Sequence, residues 1–136
     1  MIQVQLSKII IDEKRQDQLI VLREKNGERQ FPIVIGYLEA SSIKMKLANV
    51  ETPRPLTHDL LFGVIEGLGA KVERLEIDKL INSTFHSKLI LQASDGTLKR
   101  VDARPSDGVA LAVRSNAPIF VEEEVLNKAS IFNAAE

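Results

Sequence analysis

The sequence predicts an α+β fold: antiparallel β-hairpins forming a sheet with helices packed on it, in a single compact domain. Three observations lead there. Two pairs of alternating apolar and polar stretches are separated by turn dipeptides, Asn26-Gly27 and Asp95-Gly96. Each pair is followed by a stretch that changes to helical spacing. The length, 136 residues, suits one domain with a core large enough to fold without staples.

Taken in order, residues 2–12 alternate Ile2, Val4 and Leu6 against Gln3, Gln5 and Ser7 before the run Ile9-Ile10-Ile11, which makes a first strand. Residues 13–18 are polar or charged and form a solvated turn. A second strand at residues 19–22 turns at Asn26-Gly27, a pair that tolerates positive φ, into a third at residues 30–35. Pro32 removes a ladder donor, so that third strand is expected at an edge or with its N–H side unpaired. Gly36 ends it, and residues 37–49 take helical spacing with Ala40, Ile43, Leu47 and Val50 on one face. Glu39 falls in the first turn, where the helix dipole favours a carboxylate.

Pro53-Arg54-Pro55 is too stiff for helix or central strand and forms a rigid connector that aims Arg54. Thr57 is the expected N-cap of a helix over residues 58–68, with Leu60, Leu61, Val64, Ile65 and Leu68 as its core face and Gly69 as its end. His58 and Asp59 are then left in the first turn near the opposite side, and Phe62, Gly63 and Glu66 point away from the core. That outward side and the edge strand offer surfaces for a homo-oligomer. Residues 71–81 form a strand exposed on one side, Asn82-Ser83 turns it, and in residues 85–93 Phe85, Ser87, Leu89 and Leu91 share a face. Asp95-Gly96 closes the second hairpin into residues 98–104.

In that last hairpin strand Arg100, Asp102 and Arg104 share one face, with Val101 and Ala103 on the other. Arg104 precedes proline and is biased toward extended backbone, so the strand should end at Pro105 with Ser106 or Asp107 capping the next helix. Residues 109–113 are apolar on nearly every side, which buries the helix, and Gly108 lets a neighbour approach its first turn. A buried helix start flanked by charges is a place to hold an anion. The simpler alternative is that Asp102 and Arg104 pair with each other while Asp107 favours the dipole. Asn116 is the expected left-handed C-cap, residues 118–121 make a last strand, and Glu122-Glu123-Glu124 opens a short helix through Ala129.

Composition narrows the classes of function. No cysteine is present, which excludes disulfides and thiolate metal sites and favours a reducing compartment. No apolar run approaches the roughly 18 residues of a membrane span, and the N-terminus lacks a basic leader, so a cytoplasmic location without membrane contact is expected. Eighteen Lys and Arg against 19 Asp and Glu leave a net charge of −1, so any contact with nucleic acid must come from a local patch. Five Phe, one Tyr and no Trp leave few platforms for base stacking.

Taken together, Phe31-Pro32-Ile33-Val34-Ile35-Gly36 with Glu39-Ala40, then Pro53-Arg54-Pro55-Leu56-Thr57-His58-Asp59, Leu68-Gly69-Ala70, the run from Val101 to Ala112, and Ala117-Pro118-Ile119-Phe120 resemble the bifunctional nuclease (BFN) domain family, long known as a domain of unknown function. The blocks span almost the whole chain in order. The resemblance implies a self-associating α+β domain that acts on DNA and RNA. Some relatives append a short helical repair-protein motif, and this chain is expected to end at Glu136 without it. Position 108 is glycine where the family block has alanine, and His86 stands where tyrosine is common, which leaves His86 without a role.

On the nuclease reading that the resemblance implies, Arg54 and Arg104 stabilise charge on the phosphorane-like transition state, joined in substrate binding by Ser106. Glu39, Asp59, Asp102 and Asp107 are the candidate ligands for Mg²⁺ or Mn²⁺, and His58 or an acid is the base. The catalytic set is thus Arg54, His58, Asp59, Asp102 and Arg104, provided the helix starts meet in space. The competing reading is a non-enzymatic regulatory or scaffold domain whose charged residues lock subunit contacts or bind a small anionic ligand, supported by the missing basic surplus. A metabolic enzyme acting on a phosphorylated small molecule also fits the helix starts, with no motif behind it.

Overall fold

Alternating side chains build a sheet, and four helices close it. The computed structural model describes residues 1–12, 14 and 17–130. In chain order the elements are β1 (Ile2–Ile10), β2 (Gln18–Glu24), β3 (Gln30–Ile35), α1 (Tyr37–Leu47), α2 (Thr57–Gly67), β4 (Lys71–Ile81), β5 (Thr84–Gln92), β6 (Leu98–Ala103), α3 (Pro105–Ser115), β7 (Ile119–Val121) and α4 (Glu123–Ala129). The class is α+β, with one seven-stranded sheet in the order β3-β2-β1-β7-β4-β5-β6. Among the described residues, no helix is long and apolar enough to cross a membrane.

The hairpin groups β1-β2-β3 and β4-β5-β6 are each antiparallel, as their turns imply. What joins them is β7, three residues inserted antiparallel to β1 and parallel to β4, with Leu75 opposite Ile119. The sheet is therefore mixed. It also curls, because Phe31 on the edge strand β3 stacks on Phe85 of β5 with ring centroids 5.5 Å apart. Pro32 lies on that edge strand opposite Val21, a position that tolerates a residue without an N–H.

One turn differs from the expectation in its backbone. Neither Asn26 nor Gly27 takes a positive φ. The β2-β3 loop is instead closed by the Glu24 N–H bond to the Arg29 carbonyl and by the Arg29–Glu24 ion pair. The tight two-residue hairpin is Asn82-Ser83, with φ of 51° and 65° between the paired residues Ile81 and Thr84. Asp95 and Gly96 behave as expected: Gly96 has φ of 87°, and Asp95 Oδ1 accepts from the Thr97 N–H at 3.0 Å.

Helix α3 is the central element, packed against α1, α2, β4 and β5. It is buried along most of its length, and Asn116 ends it in the left-handed conformation. Arg104 is its N-cap residue and Pro105 its first residue, so Ser106 and Asp107 lie inside the first turn rather than at the cap.

Helix α2 inverts the expected orientation. Its inward residues are His58, Phe62 and Ile65, at i, i+4 and i+7, while Leu60 and Leu68 are 60% and 77% exposed and Leu61 and Val64 are also exposed. The helix is apolar on two sides, so periodicity alone does not choose which one faces the core. Thr57 is its first residue, and the cap contact is the Leu56 N–H donating to Asp59 Oδ2 at 3.0 Å. On α1, Ala40, Ser42 and Ile43 are buried while Leu47 and, beyond the helix end, Val50 stay exposed, which again moves a polar residue onto the face assigned to apolar ones.

Gly108 marks how closely α3 approaches the sheet. A Cβ there would lie 2.4 Å from Leu75 Cδ1, and Leu75 is fully buried. Gly108→Ala gains about 1 kcal/mol of helix propensity but overpacks a filled core, at a cost of about 1–3 kcal/mol. Urea unfolding of Gly108→Ala is expected to show a net loss of about 1 kcal/mol, and an unchanged or raised midpoint would mean that Leu75 has room to turn.

Candidate functional site

The polar side chains that converge where α1, α2 and α3 meet form a continuous chain of contacts. It starts at the α1 residue Glu39, whose Oε2 lies 3.6 Å from Arg104 Nη2. Arg104 Nε donates to Asp107 Oδ2 at 2.9 Å, and Asp107 Oδ1 lies 2.8 Å from His58 Nε2. His58 Nδ1 lies 2.7 Å from Ser42 Oγ, which accepts from Arg114 Nη2 at 3.0 Å. Arg114 Nε then donates to Asp59 Oδ1 at 2.8 Å, and its Nη1 donates to the Ala110 carbonyl at 2.9 Å. The helix starts place Asp107 and His58 near one another because α2 and α3 each enter this junction with their first turns.

Donor counting fixes the protons. The ionised Asp107 can only accept, so a neutral His58 ring would carry its hydrogen on Nε2 and accept from the Ser42 hydroxyl at Nδ1, while Ser42 Oγ accepts from Arg114. A serine, an imidazole and a carboxylate thus stand in sequence, with a guanidinium on the serine oxygen. Ser42 and His58 are 7% and 9% exposed. Both line a cleft of about 1040 Å³ whose other walls are largely apolar, including Leu38, Leu61, Leu89, Leu91 and Val101, with Glu39, Arg104 and Asp107 at its polar end.

Both aspartates titrate below the ordinary carboxylate range. For Asp59 the main cause is the Arg114 hydrogen bond, followed by the Leu56 N–H. For Asp107, burial pushes the carboxyl up, but the hydrogen bonds from His58 and Arg104 together outweigh it. The Arg104 guanidinium is held above its usual value, chiefly by Asp107.

Of the residues singled out from the sequence, Glu39, His58, Asp59, Arg104 and Asp107 are brought into this one network. Arg54 is exposed on its connector and does not line the cleft. Asp102 borders the cleft, yet its carboxylate is largely exposed and lies 3.6 Å from Lys88 Nζ, which also neighbours Asp78. Arg104 pairs with Asp107 and Glu39, not with Asp102. Ser106 is buried in α3 and does not line the cleft.

The residues missed were Ser42 and Arg114. A serine inside a helix carries no pattern. Arg114 did carry a signal, an arginine directly after the apolar run of a helix expected to be buried, since a buried guanidinium demands acceptors.

The carboxylates do not fit a divalent cation held by one protomer. Asp59 and Asp107 each spend both oxygens on existing donors, and Glu39 faces Arg104. Among the described residues, no three His, Asp or Glu side chains group as a cation site.

Fold and site together define an α+β domain with three helices wired by a polar chain beside an apolar cleft. The chain belongs to the bifunctional nuclease domain family, whose profile matches residues 20–134. It is 42% identical over 129 residues to the uncharacterized protein Rv1829 of Mycobacterium tuberculosis strain H37Rv, covering 95% of this chain and 76% of that one. It is also 28% identical over 118 residues to bifunctional nuclease 2 of Oryza sativa subsp. japonica, covering 85% of this chain and 36% of the plant protein. With bifunctional nuclease 1 of Arabidopsis thaliana the identity is 25% over 107 residues, 76% of this chain and 33% of the other.

Two outcomes follow. Because Asp59 and Asp107 have depressed folded values, their contribution to stability is complete above the unfolded carboxylate pKa of about 4. It is lost as pH falls through the folded values. Urea midpoints should therefore fall below about pH 4, and less steeply in Asp59→Asn; an identical pH slope in that variant would overturn the assignment. Arg114→Met leaves Asp59 and Ser42 without their cation. Breaking a buried pair costs about 3–5 kcal/mol, and because Asp59 is partly solvated the expected loss is about 2–3 kcal/mol in urea unfolding.

Proposed function

We propose that this chain hydrolyses phosphodiester bonds of DNA or RNA in the cytoplasm, with His58 as the general base and Arg104 as the group that receives phosphate. Family membership supports the reaction class. The observation that carries the residue roles is the linkage of Asp107 to both His58 Nε2 and Arg104 Nε, which ties a base and an exposed guanidinium to one carboxylate at the mouth of the cleft. Asp107 orients the ring so that Nδ1 faces Ser42. A proton from an attacking water reaches Nδ1 through the Ser42 hydroxyl, which gives up its own hydrogen as it accepts the water's. Arg104, its side chain 68% exposed, offers a planar fork to phosphate oxygens, where charge builds in the transition state.

The polar atoms of the network nearly all have partners already, and this favours a second reading in which it only braces the three helices of a non-enzymatic domain. Copies of the chain are proposed to associate through the exposed Leu60, Val64 and Leu68 of α2, which one protomer leaves uncovered. Light scattering at two concentrations tests the association, and a monomer at both would end it.

The test of the activity is cleavage of end-labelled DNA and RNA by purified wild type, His58→Ala and Arg104→Ala, each with Mg²⁺, with Mn²⁺ and with chelator. Rates should fall by about 10²–10⁴-fold without His58 and by about 10²-fold without Arg104. Equal residual activity in all three proteins would leave the bracing reading in place.

A further inference from the structure

We propose that Ser42 is a nucleophile and that the cleft hydrolyses carboxylic esters with an apolar acyl chain. The inference shares His58 and Asp107 with the nuclease reading but makes Ser42 the attacking atom instead of a proton relay. A nucleophilic serine is recognised by three relations: an oxygen within hydrogen-bond reach of a base, a base oriented by a third group, and a site beside the oxygen that a reacting carbon can enter.

All three are met here. Ser42 Oγ lies 2.7 Å from His58 Nδ1, and Asp107 Oδ1 holds the other ring nitrogen at 2.8 Å. The order of nitrogens is the reverse of the best-known serine hydrolases, but the roles depend on geometry and not on which nitrogen faces the serine. The site beside the oxygen is the cleft, of about 1040 Å³ and lined by both Ser42 and His58. Its size and apolar walls match a small organic ligand. The leucines that wall the cleft suit an apolar acyl chain.

Arg114 sets this serine apart from an ordinary helical one. A helical serine usually returns its hydroxyl to a carbonyl one turn back, whereas Ser42 is turned toward an imidazole with a guanidinium donating to its oxygen at 3.0 Å. That donor fixes the hydroxyl oxygen, so Ser42 is held toward His58 without reorganisation during the reaction. Arg114 is itself held by Asp59 and the Ala110 carbonyl, so it acts as a fixed positive charge.

The step balances with water as the only co-reactant. Ser42 Oγ bonds to the ester carbonyl carbon as its proton passes to His58 Nδ1. The tetrahedral intermediate then expels the alkoxide, which takes that proton and leaves as alcohol. Water, giving its proton to Nδ1, attacks the acyl-Ser42 carbonyl, and the C–Oγ bond breaks as Oγ recovers the proton. The products are one carboxylic acid and one alcohol.

The experiment treats the full-length chain with an alkyl fluorophosphonate and maps the adduct by peptide mass spectrometry, alongside hydrolysis of p-nitrophenyl butyrate. The expected result is a single adduct on Ser42. Hydrolysis should drop by about 100-fold or more in Ser42→Ala and in Asp107→Asn, with thermal melts reporting whether each variant is folded. Mapping is done on the wild type, so it decides the matter even if a variant unfolds. No adduct, an adduct on another residue, or undiminished hydrolysis by folded Ser42→Ala would overturn the proposal. Labelling without nucleic-acid cleavage would sink the nuclease reading alone, and cleavage without labelling would sink this one alone.

Discussion

A guanidinium buried among three helices constrains everything around it. The Arg114 side chain is 4% exposed, and its guanidinium has donors only. Its donors must therefore find acceptors within the protein, and they find one on each helix: Ser42 on α1, Asp59 on α2 and the Ala110 carbonyl on α3. Those bonds set the depth and rotation of α1 and α2 against α3. They also explain why α2 turns His58 inward although leucines were available for that face, since rotating the helix would withdraw Asp59 from the guanidinium.

The rotation has a consequence on the outside. With His58, Phe62 and Ile65 facing in, the stripe Leu60, Val64 and Leu68 is left toward solvent, and Leu38 of α1 is exposed as well. An apolar stripe is thereby exchanged for a polar junction, an arrangement in which stability from burial is given up locally to hold several charges and one imidazole in a set order. Functional sites commonly break local patterning rules in this way.

Chemically, the junction offers two kinds of group to the cleft. One is the Ser42–His58–Asp107 chain, able to move a proton along defined atoms. The other is the guanidinium of Arg104, while Arg114 stays buried behind the serine. Both belong to one network. A substrate that displaces Arg104 from Asp107 also changes the field at His58, because that carboxylate has one oxygen on each.

Sequence by itself determined the α+β class, the order of strands and helices, the edge position of Pro32, the burial of α3, and the left-handed end at Asn116. These depend on period, chain stiffness and single-residue φ preferences, which are local. It also supplied five members of the site, Glu39, His58, Asp59, Arg104 and Asp107, because they cluster at helix starts. Only the tertiary structure decided that β7 joins the two hairpin groups, that α2 presents His58 to the interior, that Arg54 and Asp102 stay outside the network, and that Ser42 and Arg114 belong to it. The β7 pairing and the Ser42 and Arg114 contacts are hydrogen bonds between residues far apart in the chain, 16 positions for Ser42 and His58, 72 for Ser42 and Arg114, and further still for Ile2 and Val121. No periodicity within one element encodes such a pairing, and the energy that selects it, the cost of burying an unpaired charge, appears only once the helices have packed.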